Sequence, residues 1–186
     1  EDVFERIIQV AEEEVSVNTR ELLFSALAAG FAITLTFFVY ASMYASTGGH
    51  PILKGMLYPL GFIYIVLGGY QLFTENTLPP VALLFERMTT VLRVLRVWGI
   101  VLLGNFIGGA LGAIALARSG VFSAEAAQAG ITIAQSTLAT PFGALFFKGV
   151  FAGFIVAGVV WLDFAARDTI SRFIMVYLAF LTIPLT

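Results

Sequence analysis

The chain has 186 residues, 59% of them hydrophobic and only 12% charged, with a net charge of −2. A soluble domain of this size cannot hide that much apolar surface, so the expected class is an all-α integral membrane protein, with the lipid bilayer as partner and no nucleic acid. There is no cysteine and a single histidine, His50, which excludes disulfides, thiolate metal sites and a histidine metal cluster within the chain; no cofactor is expected.

Residues 1–19 read as an amphipathic N-terminal helix. Val3, Phe4, Ile7, Ile8, Ala11 and Val15 recur at helical spacing, with Glu1, Asp2, Glu5, Glu12 and Glu13 mostly elsewhere. The helix is acidic, so docking on the chain's own bundle is expected rather than attraction to anionic lipid. A cleavable signal peptide is not expected, because a basic n-region and an apolar h-region are both missing.

The membrane domain is expected over 20–186. Leu22–Ala45 carries no charge over 24 residues, enough to span about 30 Å of hydrocarbon with some tilt. Gly55–Phe73 is apolar over 19 residues and runs into "LFTENTLPP" at 72–80. A third span covers about 97–118, and a fourth, 141–162, contains one charge, Lys148. The last segment, 173–186, has 14 residues and reaches only about 21 Å, so it is a partial span, and the chain reads as a fragment of a longer protein.

Basic residues orient the spans. With the N-terminus cytoplasmic, Arg6, Arg20, Arg87, Arg93, Arg96, Arg167 and Arg172 lie inside, and Lys54, Arg118 and Lys148 lie outside or near it. This orientation requires one crossing between Lys54 and Arg87, so 55–87 is taken as a single span with a break at 73–80. Pro79 and Pro80 supply no amide hydrogens, and Thr74, Asn76 and Thr77 compete for nearby backbone groups. Non-helical backbone at membrane depth survives only inside protein or beside a watery cavity, and such breaks form solute sites. The alternative is an ordinary polar loop after a short span.

The first and fourth spans resemble each other. "LFSALAAGFAI" at 23–33 lies over "FFKGVFAGFIV" at 146–156, matching Phe24 with Phe147, Ala29 with Ala152, Gly30 with Gly153 and Phe31 with Phe154. Two related units separated by three crossings have opposite orientation, the inverted-repeat plan of many transporters and channels. The fifth segment is then the partner of the second, with a break expected in "TIPLT" at 182–186.

From about Arg20 onward the chain resembles the formate/nitrite transporter family. The resemblance rests on "RELLFSALAAG" (20–30), "GGYQLFTENT" (68–77), "GNFIGG" (104–109) and "FFKGVFAGFIVAGVVW" (146–161). It implies an aquaporin-like inverted-repeat bundle with broken helices two and five, in a homopentamer with a pore in each subunit for small monovalent anions. It implies that Thr74 matches the threonine in the helix-two break, that Leu72 and Phe73 lie near the narrow point, and that Lys148 matches a basic position on helix four. Two positions depart from the pattern: Glu75 stands where Gly is usual and Gly153 where Asn is usual. The family's central pore histidine would follow Thr186.

A stripped anion in low dielectric costs many kcal/mol, so a pore must compensate its charge. Lys148, about 10 Å into its helix from Pro141, can raise local anion concentration or can snorkel to the headgroups. The Thr74 hydroxyl and nearby amides can replace water around the solute. Leu72 and Phe73 can narrow and dry the path or simply pack. Glu75 can relay protons, select cations or brace the loop. Asn105 reads as a polar tie to the helix break, among glycines of a close helix contact. The expected function is a passive or proton-coupled channel for formate, nitrite or a similar anion in the cell inner membrane. The alternatives are a pore of the same fold for a neutral or cationic solute, or a non-transporting membrane subunit. An enzyme is not expected, for want of Cys, a second His or paired acids at depth.

Overall fold

The structure is a computed structural model that describes residues 3–185; Glu1, Asp2 and Thr186, which the sequence reading placed in terminal segments, lie outside the described residues. Eight helices follow in order: α1 Val3–Ser16, α2 Thr19–Ser46, α3 Leu60–Gly68, α4 Leu78–Phe85, α5 Val91–Ser119, α6 Ala124–Leu138, α7 Phe142–Ala165 and α8 Thr169–Thr182. Of these, α2, α5 and α7, with 28, 29 and 24 residues, are long and apolar enough to cross a bilayer.

Helix α1 buries Ile7, Ala11 and Val15, one stripe at i, i+4 and i+8. That stripe lies against α4, α5 and α7. Two residues on, α2 begins at a side-chain cap. The Asn18 Oδ1 accepts the Glu21 N–H at 3.0 Å and its Nδ2 donates to Glu21 Oε2 at 3.1 Å.

The tightest helix pair is α2 with α5. A Cβ at Gly30 would overlap the Asn105 carbonyl, and one at Gly108 would overlap the Leu27 carbonyl. At Gly112 it would run into the Thr34 side chain. Glycine at these positions therefore lets backbone meet backbone, the small-residue mode of helix association in membranes.

The sequence reading set the break of the second crossing at 73–80. The α-helix instead ends at Gly68. Gly69 takes a left-handed φ of +66°, and the Tyr70 N–H donates back to the Ile65 carbonyl at 3.0 Å, a closure that terminates a helix without strain only when glycine follows it. Pro79 and Pro80 lie in the first turn of α4, where their missing N–H groups have no helical partner to lose. They begin the second piece rather than break the first. At 9 and 8 residues, α3 and α4 each reach only about 12–14 Å and neither spans a bilayer alone.

Helix α6 was not foreseen. It is capped by Ser123 Oγ accepting the Ala126 N–H at 3.2 Å, and it lays Ala126, Ala129 and Gly130 on α2. Helix α8 is capped by Asp168, whose Oδ1 accepts the Ser171 N–H at 2.9 Å. It buries Val176 and Phe180, and Phe180 stacks on Phe62 of α3 with ring centroids 3.8 Å apart. After α8 the chain turns through Ile183–Leu185 in a 3₁₀ conformation.

Candidate functional site

The link from Gly69 to Thr77 joins α3 to α4, and side chains of the glycine-packed pair α2–α5 hold it. The Gln71 N–H donates to Ser25 Oγ of α2 at 3.1 Å, and the Phe73 N–H donates to Asn105 Oδ1 of α5 at 2.8 Å. Asn105 Nδ2 donates in turn to the carbonyls of Ala26 and Gln71, both at 2.9 Å. One amide side chain thus satisfies the Phe73 donor and the Gln71 acceptor of the non-helical link and adds a second bond to a carbonyl inside α2. Beyond Phe73 the chain makes a short turn, with the Glu75 and Asn76 N–H groups donating to the Leu72 carbonyl at 3.1 and 3.0 Å. Asn76 is buried; its carbonyl accepts the Trp98 indole N–H at 2.8 Å, and its side-chain amide donates to Gln71 Oε1.

A cavity of about 360 Å³ opens beside this turn. Its polar lining comes from four parts of the chain: Glu13 and Glu14 of α1, Gln71, Glu75 and Asn76 of the link, Asp163 of α7 and Arg172 of α8. Asp163 and Arg172 form a two-pronged ion pair, Nε to Oδ1 at 2.6 Å and Nη2 to Oδ2 at 2.8 Å. Glu14 Oε2 and Glu75 Oε1 are buried, and neither has a hydrogen-bond partner among the described residues. Burial raises the Glu14 carboxyl from its ordinary 4.5 to about 7, opposed by a hydrogen bond with Gln71.

The residues singled out from sequence therefore divide. Glu75 and Asn76 line the cavity. Leu72 is packed in the core formed by α3, α7 and α8, with Phe62, Val156, Val176 and Phe180. Phe73 faces the other way, edge-on to Trp98 with centroids 6.1 Å apart. Thr74 is exposed and its carbonyl accepts the Thr77 hydroxyl at 2.8 Å. Lys148 is exposed on α7, fifteen residues from Asp163 and so about 22 Å along the helix axis from the cavity. Gly153 is half-buried, with open space where a Cβ would stand.

Sequence reasoning missed Glu14, Gln71, Asp163 and Arg172. The fold brings Glu14 and Asp163 into electrostatic range of Glu75. Glu14 carried a usable signal: it lies seven residues after Ile7, on the buried stripe of α1. Asp163 and Arg172 meet only because α7 and α8 fold back on each other.

Comparison with known proteins places these observations. A family profile described as formate/nitrite transporter matches residues 1–186. The chain is 30% identical over 169 residues to inner membrane protein YfdC of Escherichia coli, covering 88% of this chain and 54% of that protein. It is 32% identical over 161 residues to formate channel FocA of Haemophilus influenzae, covering 82% of this chain and 56% of that one. The chain thus spans about half the length of these curated relatives. Its fold superposes on a solved structure described as an FNT family ion channel with a TM-score of 0.88 at 16% identity, over 99% of this chain and 76% of that one. It also superposes on a pentameric formate channel with formate bound, with a TM-score of 0.74 at 22% identity, over 89% and 68%. Matched by the family profile from end to end and sharing its fold with both of these channels, this chain belongs to the formate/nitrite transporter family.

Proposed function

We propose that this chain forms a pore for a small monovalent anion of the formate or nitrite class, passive or proton-coupled, and that it works as a homopentamer in the cell inner membrane. It acts as a conduit and not as an enzyme. The observation that carries this reading is the Gly69–Thr77 link, non-helical backbone pinned by Asn105 between two helices too short to cross alone. Such backbone is tolerated at membrane depth only where protein or a watery path surrounds it.

In this reading α3, the link and α4 make one crossing, with the N-terminus and α1 on the cytoplasmic side, as the basic residues favour. The chain from 20 to 186 is then the channel domain and 1–19 its cytoplasmic helix. Lys148 draws anions to the opposite mouth. Leu72 and Phe73, packed on opposite sides, hold the path narrow, while Thr74 and Asn76 offer polar groups in place of water. Gly153 leaves room on α7. The test is formate and nitrite flux into liposomes carrying the protein, with and without Lys148→Ala. A several-fold loss in the variant is expected; equal flux would remove Lys148 from the path, and absence of any small-anion flux would remove the reading.

A second reading has its own support. Glu14, Glu75 and Asp163 share one cavity with a single arginine, a surround that disfavours a bare anion and suits a neutral or cationic solute. Flux of monovalent cations or small neutral solutes, in the absence of anion flux, would favour it.

A further inference from the structure

An anion that reaches the cavity meets four carboxyl groups, those of Glu13, Glu14, Glu75 and Asp163, and one guanidinium already committed to Asp163. If all were ionised, the cavity would repel the solute that the proposed pore carries. The arrangement of Glu14 and Glu75 resolves this conflict. Glu14 comes from α1 and Glu75 from the link; both residues line the cavity, and each keeps one buried oxygen without a partner among the described residues. A buried ionised oxygen left unpaired is costly, whereas a carboxyl that takes up a proton loses that cost. The other charged groups on the cavity are Glu13 of α1, Asp163 of α7 and Arg172 of α8, and Asp163 and Arg172 neutralise each other. Gln71 completes the set: its amide oxygen takes the Asn76 side-chain N–H beside the cavity.

We propose that Glu75 and Glu14 are a proton-exchanging carboxyl pair at the inner mouth of the pore, so that the solute moves as its neutral acid. This rests on the anion-pore reading and deepens it. In the step, the Glu75 O–H bond breaks and a new O–H bond forms on the anion. The electron pair stays on the Glu75 carboxylate, and the neutral acid moves on. Glu75 regains a proton from the bulk water on the α1 side through the cavity, with Glu14 as the outer carrier. No oxidant or reductant is involved. The position matters because glycine, the residue that the resemblance leads one to expect at 75, holds no proton.

The experiment uses the full chain in liposomes loaded with a pH dye, with labelled formate outside and empty liposomes subtracted. Proton and formate uptake are measured together, with the membrane potential clamped at several values. In the wild type, a proton should accompany each formate and the voltage should have no effect. Glu75→Gln should lose the accompanying proton, by tenfold or more in the proton-to-formate ratio, and any flux left should depend on voltage. Glu75→Asp should restore the ratio, which a bracing role for Glu75 would not require. Glu14→Gln should slow proton delivery and move the pH profile. Wild-type formate flux without protons would overturn the inference and leave the anion pore standing. An unchanged ratio in Glu75→Gln would equally overturn it, as would loss of flux that Glu75→Asp fails to restore. Absence of wild-type flux would remove both readings.

Discussion

Asn105 on α5 accepts the Phe73 N–H at 2.8 Å, and through this contact the longest helix of the bundle fixes the irregular link between α3 and α4. The same side chain donates to Ala26 and Gln71, so it ties three segments with one amide. Asn105→Ala strands the Phe73 donor and the Gln71 acceptor, while the Ala26 carbonyl keeps its bond within α2. Each unsatisfied buried group costs about 1–3 kcal/mol, so a clear fall in the melting temperature of the detergent-solubilised protein is expected. Asn105→Asp keeps an acceptor for Phe73 but donates to neither carbonyl, and should fare no better. A melting temperature unchanged in both would contradict the tie.

Gly108 lies where the backbones of α2 and α5 come close together. Gly108→Ala places a methyl group on the Leu27 carbonyl, which cannot move without shifting its helix. Overpacking of this kind costs about 1–3 kcal/mol or more. Gly143→Ala on α7 is the control, since nothing lies within 4 Å of its Cβ position. Thermal unfolding of the two variants should separate them clearly, with Gly108→Ala lower.

How much of this was legible in the chain depends on the range of the interaction. The Gly104, Gly108 and Gly112 spacing announces a close helix face because it is local and periodic, and the apolar runs announce the membrane class. Proline at 79 and 80 misdirected the placement of the break, because proline breaks a helix only from its second turn onward and is welcome in the first. The terminator is the pair Gly68–Gly69, visible in the sequence but easily taken for membrane packing. Helix α6 escaped notice because it is mostly exposed and the residues it buries are only two alanines and a glycine. The cavity was beyond reach. Its carboxyls come from residues 13, 14, 75 and 163, and only the packing of α1, the link and α7 brings them together.

Stability should depend on pH through Glu14. Burial holds its folded value near 7, above the ordinary 4.5. A raised carboxyl favours the protonated folded state, so its contribution is full below about pH 4.5 and is lost as pH rises through about 7. Melting temperature measured from pH 4.5 to 8 should fall across this window in the wild type. In Glu14→Gln that slope should flatten. An identical slope in both proteins would contradict the assignment.

Asp163 holds the one arginine of the cavity. Asp163→Asn removes a carboxylate and releases part of the Arg172 charge toward the solute. Anion uptake at low ionic strength should rise by roughly 2- to 10-fold, and the gain should shrink as salt screens it. Uptake rates of formate over a salt series check this; a fall at low salt would contradict the sign.

The central claim is that the turn at 74–76 borders a solute path at membrane depth. The chain has no cysteine, so single cysteines can be introduced without background. Glu75→Cys and, as a loop reference, His50→Cys would be placed in liposomes and treated from each side with a charged thiol reagent that does not cross lipid. The account predicts that Glu75→Cys reacts from the α1 side only, more slowly than His50→Cys, that formate slows it further, and that modification stops flux. Reaction as fast as at the loop, indifferent to formate and without effect on flux, would show residue 75 in open water and contradict the account.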